Sequence, residues 1–66
     1  MISLAINGES HRVVSVNIND LMGELSLPAA LMLVEHNGKA LHRSEWASVT
    51  LSDGDRLELM KVAAGG

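Results

Sequence analysis

The residues best suited to chemistry stand at the end of the sequence, Ala63-Ala64-Gly65-Gly66. Glycine has no Cβ, so its backbone can approach another surface closely and adopt φ/ψ values closed to other residues. Two alanines before it keep the stretch slender. A carboxylate on such an end can be threaded into a narrow site on another protein, and chain ends are normally exposed and mobile. The sequence contains no cysteine, so no internal thiolate competes to attack an activated acyl group there.

The other candidates are weaker. His11, His36 and His42 are possible metal ligands by type, but they lack i, i+4 pairing and fall in different elements, so we expect them at the surface or rim. Asp53-Gly54-Asp55 has the start of a calcium loop but not its remaining ligand positions or closing glutamate; it reads as a turn. Trp46 reads as a local anchor over the core. No nucleophile, base and acid fall into a catalytic pattern, which fits a protein that is a substrate or carrier and not an enzyme.

Composition narrows the classes further. The 66 residues suffice for one domain. At 47% hydrophobic and 20% charged, the chain has the balance of a globular domain. The longest apolar run, Ala29 to Val34, is far short of the roughly 20 residues that cross a bilayer, and the first residues lack the pattern of a signal peptide. These features and the missing cysteine lead us to expect a cytoplasmic protein with no membrane partner. Net charge is −3, the basic residues are scattered, and Trp46 is the sole aromatic. A nucleic-acid binder gathers basic charge and stacks bases on aromatics, so nucleic acid is not expected as a partner.

The elements that would carry the tail follow from periodicity. Ile2, Leu4 and Ile6 alternate as in a strand with one buried face. Asn7-Gly8 suits a tight hairpin turn, and His11 to Val16 reads as the returning strand. A helix starts at Asn17 or Asn19 and buries Ile18, Leu21, Met22 and Leu25 along one stripe. Pro28 ends it near Leu25 or Leu27. Leu31 to His36 reads as a central strand with apolar residues on both faces. Asn37-Gly38 turns into a short strand at Ala40-Leu41, and His42 to Ser48 reads as a 3₁₀ turn. After Ser52-Asp53-Gly54-Asp55, Arg56 to Val62 closes the domain, with Leu57 and Leu59 facing inward. The expectation is an α+β domain over residues 1–62, a mixed sheet with one main helix packed across it, followed by a flexible tail at 63–66.

This order, and the residues at its joints, resemble the ThiS family of β-grasp (ubiquitin-like) sulfur carriers. The matching pieces are Ile6-Asn7-Gly8-Glu9, Asp20-Leu21-Met22-Gly23-Glu24-Leu25, Val34-Glu35-His36-Asn37-Gly38, Arg43 with Trp46, Leu51-Ser52-Asp53-Gly54-Asp55 and Val62-Ala63-Ala64-Gly65-Gly66. His42, where the family often has proline, and the polar His36 depart from its pattern. The resemblance implies that a ThiF-like (E1-like) adenylyltransferase uses ATP to adenylate the Gly66 carboxylate. A persulfide protein then donates sulfur, giving a thiocarboxylate that supplies a ThiG-like thiazole synthase in thiamin biosynthesis. It also implies that Gly65 and Ala64 are recognised within the tail, and that the chain itself binds no cofactor. A carrier for another metabolite, as in the molybdopterin pathway, and a ubiquitin-like protein modifier are the alternatives.

Strand alternation adds one expectation. With Leu57 and Leu59 inward, Met60 and Val62 lie on the open face, where they form an apolar docking patch with Met32 and Val34, or with Leu31 and Leu33 in the other register.

Overall fold

The computed structural model describes residues 1–63. Its elements in order are β1 (Ile2–Ile6), β2 (Glu9–Val13), α1 (Ile18–Glu24), β3 (Met32–His36), β4 (Lys39–Leu41) and β5 (Arg56–Lys61), with 3₁₀ turns at Ala29–Leu31 and Arg43–Glu45. The five strands form one sheet in the order β2-β1-β5-β3-β4. β1 and β5 run parallel, whereas the β1–β2, β3–β4 and β3–β5 pairs are antiparallel. The two outer hairpins thus flank the last strand, and α1 contributes Ile18, Leu21 and Met22 to the core that the sheet's inner face completes.

Both hairpins turn on Asn-Gly pairs, with φ of +50° and +84° at Asn7-Gly8 and again at Asn37-Gly38. Two successive left-handed residues give the turn whose twist matches that of the strands it joins. The return strand β2 begins at Glu9, two residues before the expected His11, and ends at Val13. It stops there because Glu24 captures the next backbone groups. Its carboxylate accepts from the N–H of Val14 at 3.1 Å and of Ser15 at 3.0 Å, and from the Ser15 hydroxyl. Val14 and Val16, expected in the strand, are consequently exposed.

The helix has its cap at Asn17, whose side chain accepts the Asp20 N–H at 2.8 Å. Pro28 is not what ends it. Ser26 takes a left-handed φ of +55°, its N–H bonds to Gly23 O at 3.1 Å, and Leu27 N–H bonds to Met22 O at 2.9 Å. This pair of bonds is the Schellman stop, here with serine where glycine is usual. No described helix is long and apolar enough to cross a membrane.

Trp46 closes one end of the core, fully buried beside the second 3₁₀ turn. The Arg43 guanidinium lies 4.6 Å from the centre of its ring and donates to the carbonyls of Ala29 and Ala30 at 2.6 and 3.2 Å. The Arg-x-x-Trp spacing therefore fastens the two 3₁₀ turns together. The cation sits on an aromatic face, an arrangement worth about 0.5–2 kcal/mol.

Candidate functional site

The residues leading to the tail belong to β5, the central strand of the sheet. It pairs with β3 from Leu57 to Lys61 and with β1 through Arg56 and Leu57. The hairpin turns also grip it from both sides. Asn7 accepts the Leu59 N–H at 2.8 Å and donates its Nδ2 to Leu59 O at 3.1 Å. Asn37 accepts the Arg56 N–H at 2.8 Å and donates its own N–H to Arg56 O at 2.8 Å. Each carboxamide or peptide group continues the ladder where the strand itself has turned away. Beyond β5, Val62 N–H bonds to Leu31 O at 2.8 Å, holding the chain against the sheet up to that point. Ala63 is exposed. The expected working residues Ala64, Gly65 and Gly66 lie outside the described residues.

The docking patch needs correction. Met60 (47% exposed) and Val62 (38%) do reach the open face, but Met32 (5%) and Val34 (3%) are core residues. Register decides this: Val34 stands opposite Leu59, which faces the helix, so Leu33 (53% exposed) stands opposite Met60. The apolar surface is Leu33, Met60 and Val62. Charge could have revealed it, because Glu35 shares its face with Leu33 and a carboxylate belongs in water.

Glu35 is in turn opposite Glu58. With Arg56 and Gly38 these two carboxylates line a depression of about 220 Å³ on the open face. Sequence reasoning missed both glutamates, since cross-strand neighbours depend on register.

Around the rim, His36 Nε2 lies 2.8 Å from Asp55 Oδ2, and Asn37 Nδ2 donates to Asp55 Oδ1 at 3.1 Å. Burial pushes the Asp55 carboxyl up, but the hydrogen bonds from His36, the Ser52 N–H and Asn37, with the His36 charge, outweigh it and hold the group below its ordinary range. Glu24 is also held low, chiefly by the Ser15 hydroxyl. Desolvation opposes the shift, and the Val14 and Ser15 N–H groups reinforce it. Asp53 accepts the Ser3 N–H at 2.7 Å, so the Asp-Gly-Asp segment serves β1 and the rim. Among the described residues no cluster of three or more His, Cys, Asp or Glu side chains could hold a metal ion.

A mixed five-stranded sheet of this order, crossed by one helix and ending in a strand that leads directly to the tail, defines a β-grasp domain. Comparison with known proteins narrows the class. The sequence profile of the ThiS family matches residues 3–66, and the chain belongs to that family. The crystal structure of the thiamine biosynthesis protein (ThiS) from Geobacter metallireducens superposes with a TM-score of 0.85 at 30% identity, covering 98% of this chain and 100% of that one. A thiazole synthase from Paramagnetospirillum magneticum is 36% identical over 64 residues, which are 96% of this chain and 20% of that protein. The chain thus spans about a fifth of that relative's length. An uncharacterized protein, ycf40, from Trieres chinensis is 24% identical over 62 residues, 92% of this chain and 85% of that one.

Proposed function

We propose that the chain is a sulfur carrier of thiamin biosynthesis whose working group is the Gly66 carboxylate. A partner adenylyltransferase transfers AMP from ATP to that carboxylate, releasing pyrophosphate. The terminal sulfur of a persulfide protein attacks the acyl carbon and AMP leaves. A thiol then attacks the persulfide's inner sulfur, departing with it as a disulfide and leaving the thiocarboxylate on Gly66. The thiocarboxylate sulfur passes to thiazole synthase.

The observation that carries this reading is the family match, which spans the domain and continues through the Gly65-Gly66 end. A thiazole synthase that contains a region similar to this chain supports that enzyme as the sulfur's recipient. The open face beside β5, with Leu33, Met60 and Val62, is the docking surface for the adenylyltransferase. Chemistry on the chain's own side chains is not required; the domain presents the carboxylate and the partners act on it.

Intact-protein mass spectrometry after incubation with ATP, the adenylyltransferase and a persulfide donor tests the proposal. We expect a mass gain equal to exchange of one oxygen for sulfur, mapped to Gly66 and abolished by its deletion. An unchanged mass with a demonstrably active partner refutes carriage by the tail. Transfer of the tail to target lysines would instead make the protein a modifier.

A further inference from the structure

We infer that Arg43 is a positioning residue for the tail: it holds the first 3₁₀ turn so that the Leu31 carbonyl fixes where the chain leaves the sheet. This role rests on the carrier reading above and gives a residue far from the tail a part in presenting the Gly66 carboxylate.

The three carbonyls of the turn Ala29–Leu31 divide between two partners. Those of Ala29 and Ala30 accept from the two arms of the Arg43 guanidinium at 2.6 and 3.2 Å. That of Leu31 accepts the Val62 N–H at 2.8 Å, one residue past the last β3–β5 pair, Met32 with Lys61. Val62 therefore lies outside the ladder, and this turn is what holds it. The turn has little else to fix it. A 3₁₀ turn has poorer hydrogen-bond geometry than an α-helix, none of its three residues is fully buried, and Pro28 before it has no N–H to contribute.

Arg43 is anchored where the turn is not. Its guanidinium lies over the ring of Trp46, which is buried in the core, and the Trp46 carbonyl accepts the Ile18 N–H at 3.1 Å where α1 begins. Glu45 closes the second 3₁₀ turn by accepting the His42 N–H at 2.8 Å. Position is thus passed from the core to Trp46, then to Arg43, the first turn and Val62. A guanidinium suits this place because its planar fork donates to two neighbouring carbonyls in a fixed geometry, which an ammonium point charge does not. Without it the turn shifts and the Val62 bond opens. The adenylation step must then order Val62 itself, which slows the reaction while Leu33 and Met60 on the docking face stay in place.

Arg43→Met and Arg43→Lys test this in the full chain by two readouts. The first is the NMR scalar coupling across the Val62–Leu31 hydrogen bond in the free protein, with the Leu25–Leu21 bond as the internal control. The second is pyrophosphate release in a single turnover with ATP and excess adenylyltransferase, alongside the affinity of the complex. In Arg43→Met the Val62 coupling should vanish while the control persists. The single-turnover rate should fall about five- to thirtyfold, the rate equivalent of ordering one backbone residue, with affinity unchanged. Arg43→Lys keeps the charge but not the fork and should fall between. A Val62 coupling that survives in Arg43→Met, or one that vanishes with no change in rate, overturns the positioning role and leaves the carrier reading standing. If the parent chain itself releases no pyrophosphate with a demonstrably active partner, the carrier reading fails and the positioning role falls with it.

Discussion

Replacing Asn7 by glycine isolates the grip of the first hairpin on β5. Asn7 has φ +50°, which glycine adopts without strain, so the turn survives while two hydrogen bonds to Leu59 are lost. Each is worth about 0.5–1.5 kcal/mol net. Leu59 is a core residue, so its N–H is left poorly solvated, which favours the upper part of that range. The expected loss is about 1–3 kcal/mol, a large share of the roughly 3–5 kcal/mol that a core of this size supplies. Asn7→Asp keeps the acceptor for Leu59 N–H but turns the donor into a charge facing Leu59 O, so it should fall between the parent and glycine. Asn7→Ala should be least stable, because alanine in the left-handed region costs about 1–2 kcal/mol. Buried Trp46, the only aromatic, reports urea unfolding by its fluorescence. With a slope near 1 kcal/mol/M, Asn7→Gly should move the midpoint down by about 1–3 M. An Asn7→Gly midpoint equal to the parent's would refute the reasoning, leaving the asparagine with a turn role alone.

Two further outcomes follow from the geometry. Ser26→Gly at the helix stop should raise stability by about 0.5–1 kcal/mol, the relief of a left-handed serine less the extra unfolded-state entropy of glycine; a lower urea midpoint would argue against the Schellman assignment. Glu24 and Asp55 have folded pKa values below their ordinary ones, so their contribution is fully present above the unfolded values and disappears as pH falls through the folded ones. The urea midpoint should therefore fall steadily below about pH 4.5, and less steeply in Glu24→Gln. A parallel decline in parent and variant would remove Glu24 from the account.

Much of the scaffold was legible because local chemistry and global fold agree. The alternation of Ile2, Leu4 and Ile6, the Asn-Gly turns and the inward Leu57 and Leu59 each specify their own neighbourhood. What the sequence hid depends on partners far along the chain. Asn7 reads as a turn residue, and its bonds to Leu59 span 52 positions. Val13, Val14 and Val16 look alike by propensity, and only the carboxylate of Glu24 decides that the strand ends after the first. The faces of β3 were ambiguous because Met32, Leu33 and Val34 are all apolar; the register with Leu59 and Met60 resolves them. Ala64, Gly65 and Gly66 belong to the sequence and family argument, and the described fold bears on them only through the strand that leads to them.

The Val62–Leu31 hydrogen bond also acts as a caliper. In the proposed reading Gly66 carries the reacting carboxylate, so residues 63–66 set the reach, and a fully extended stretch of four spans at most about 14 Å. For the proposed adenylation, the partner's nucleotide phosphate must lie within that radius of the seated sheet. An enzyme whose catalytic pocket is deeper than this could hold the domain and never reach its carboxylate. Depth of pocket, set against length of strand, would then sort productive partners from merely adhesive ones.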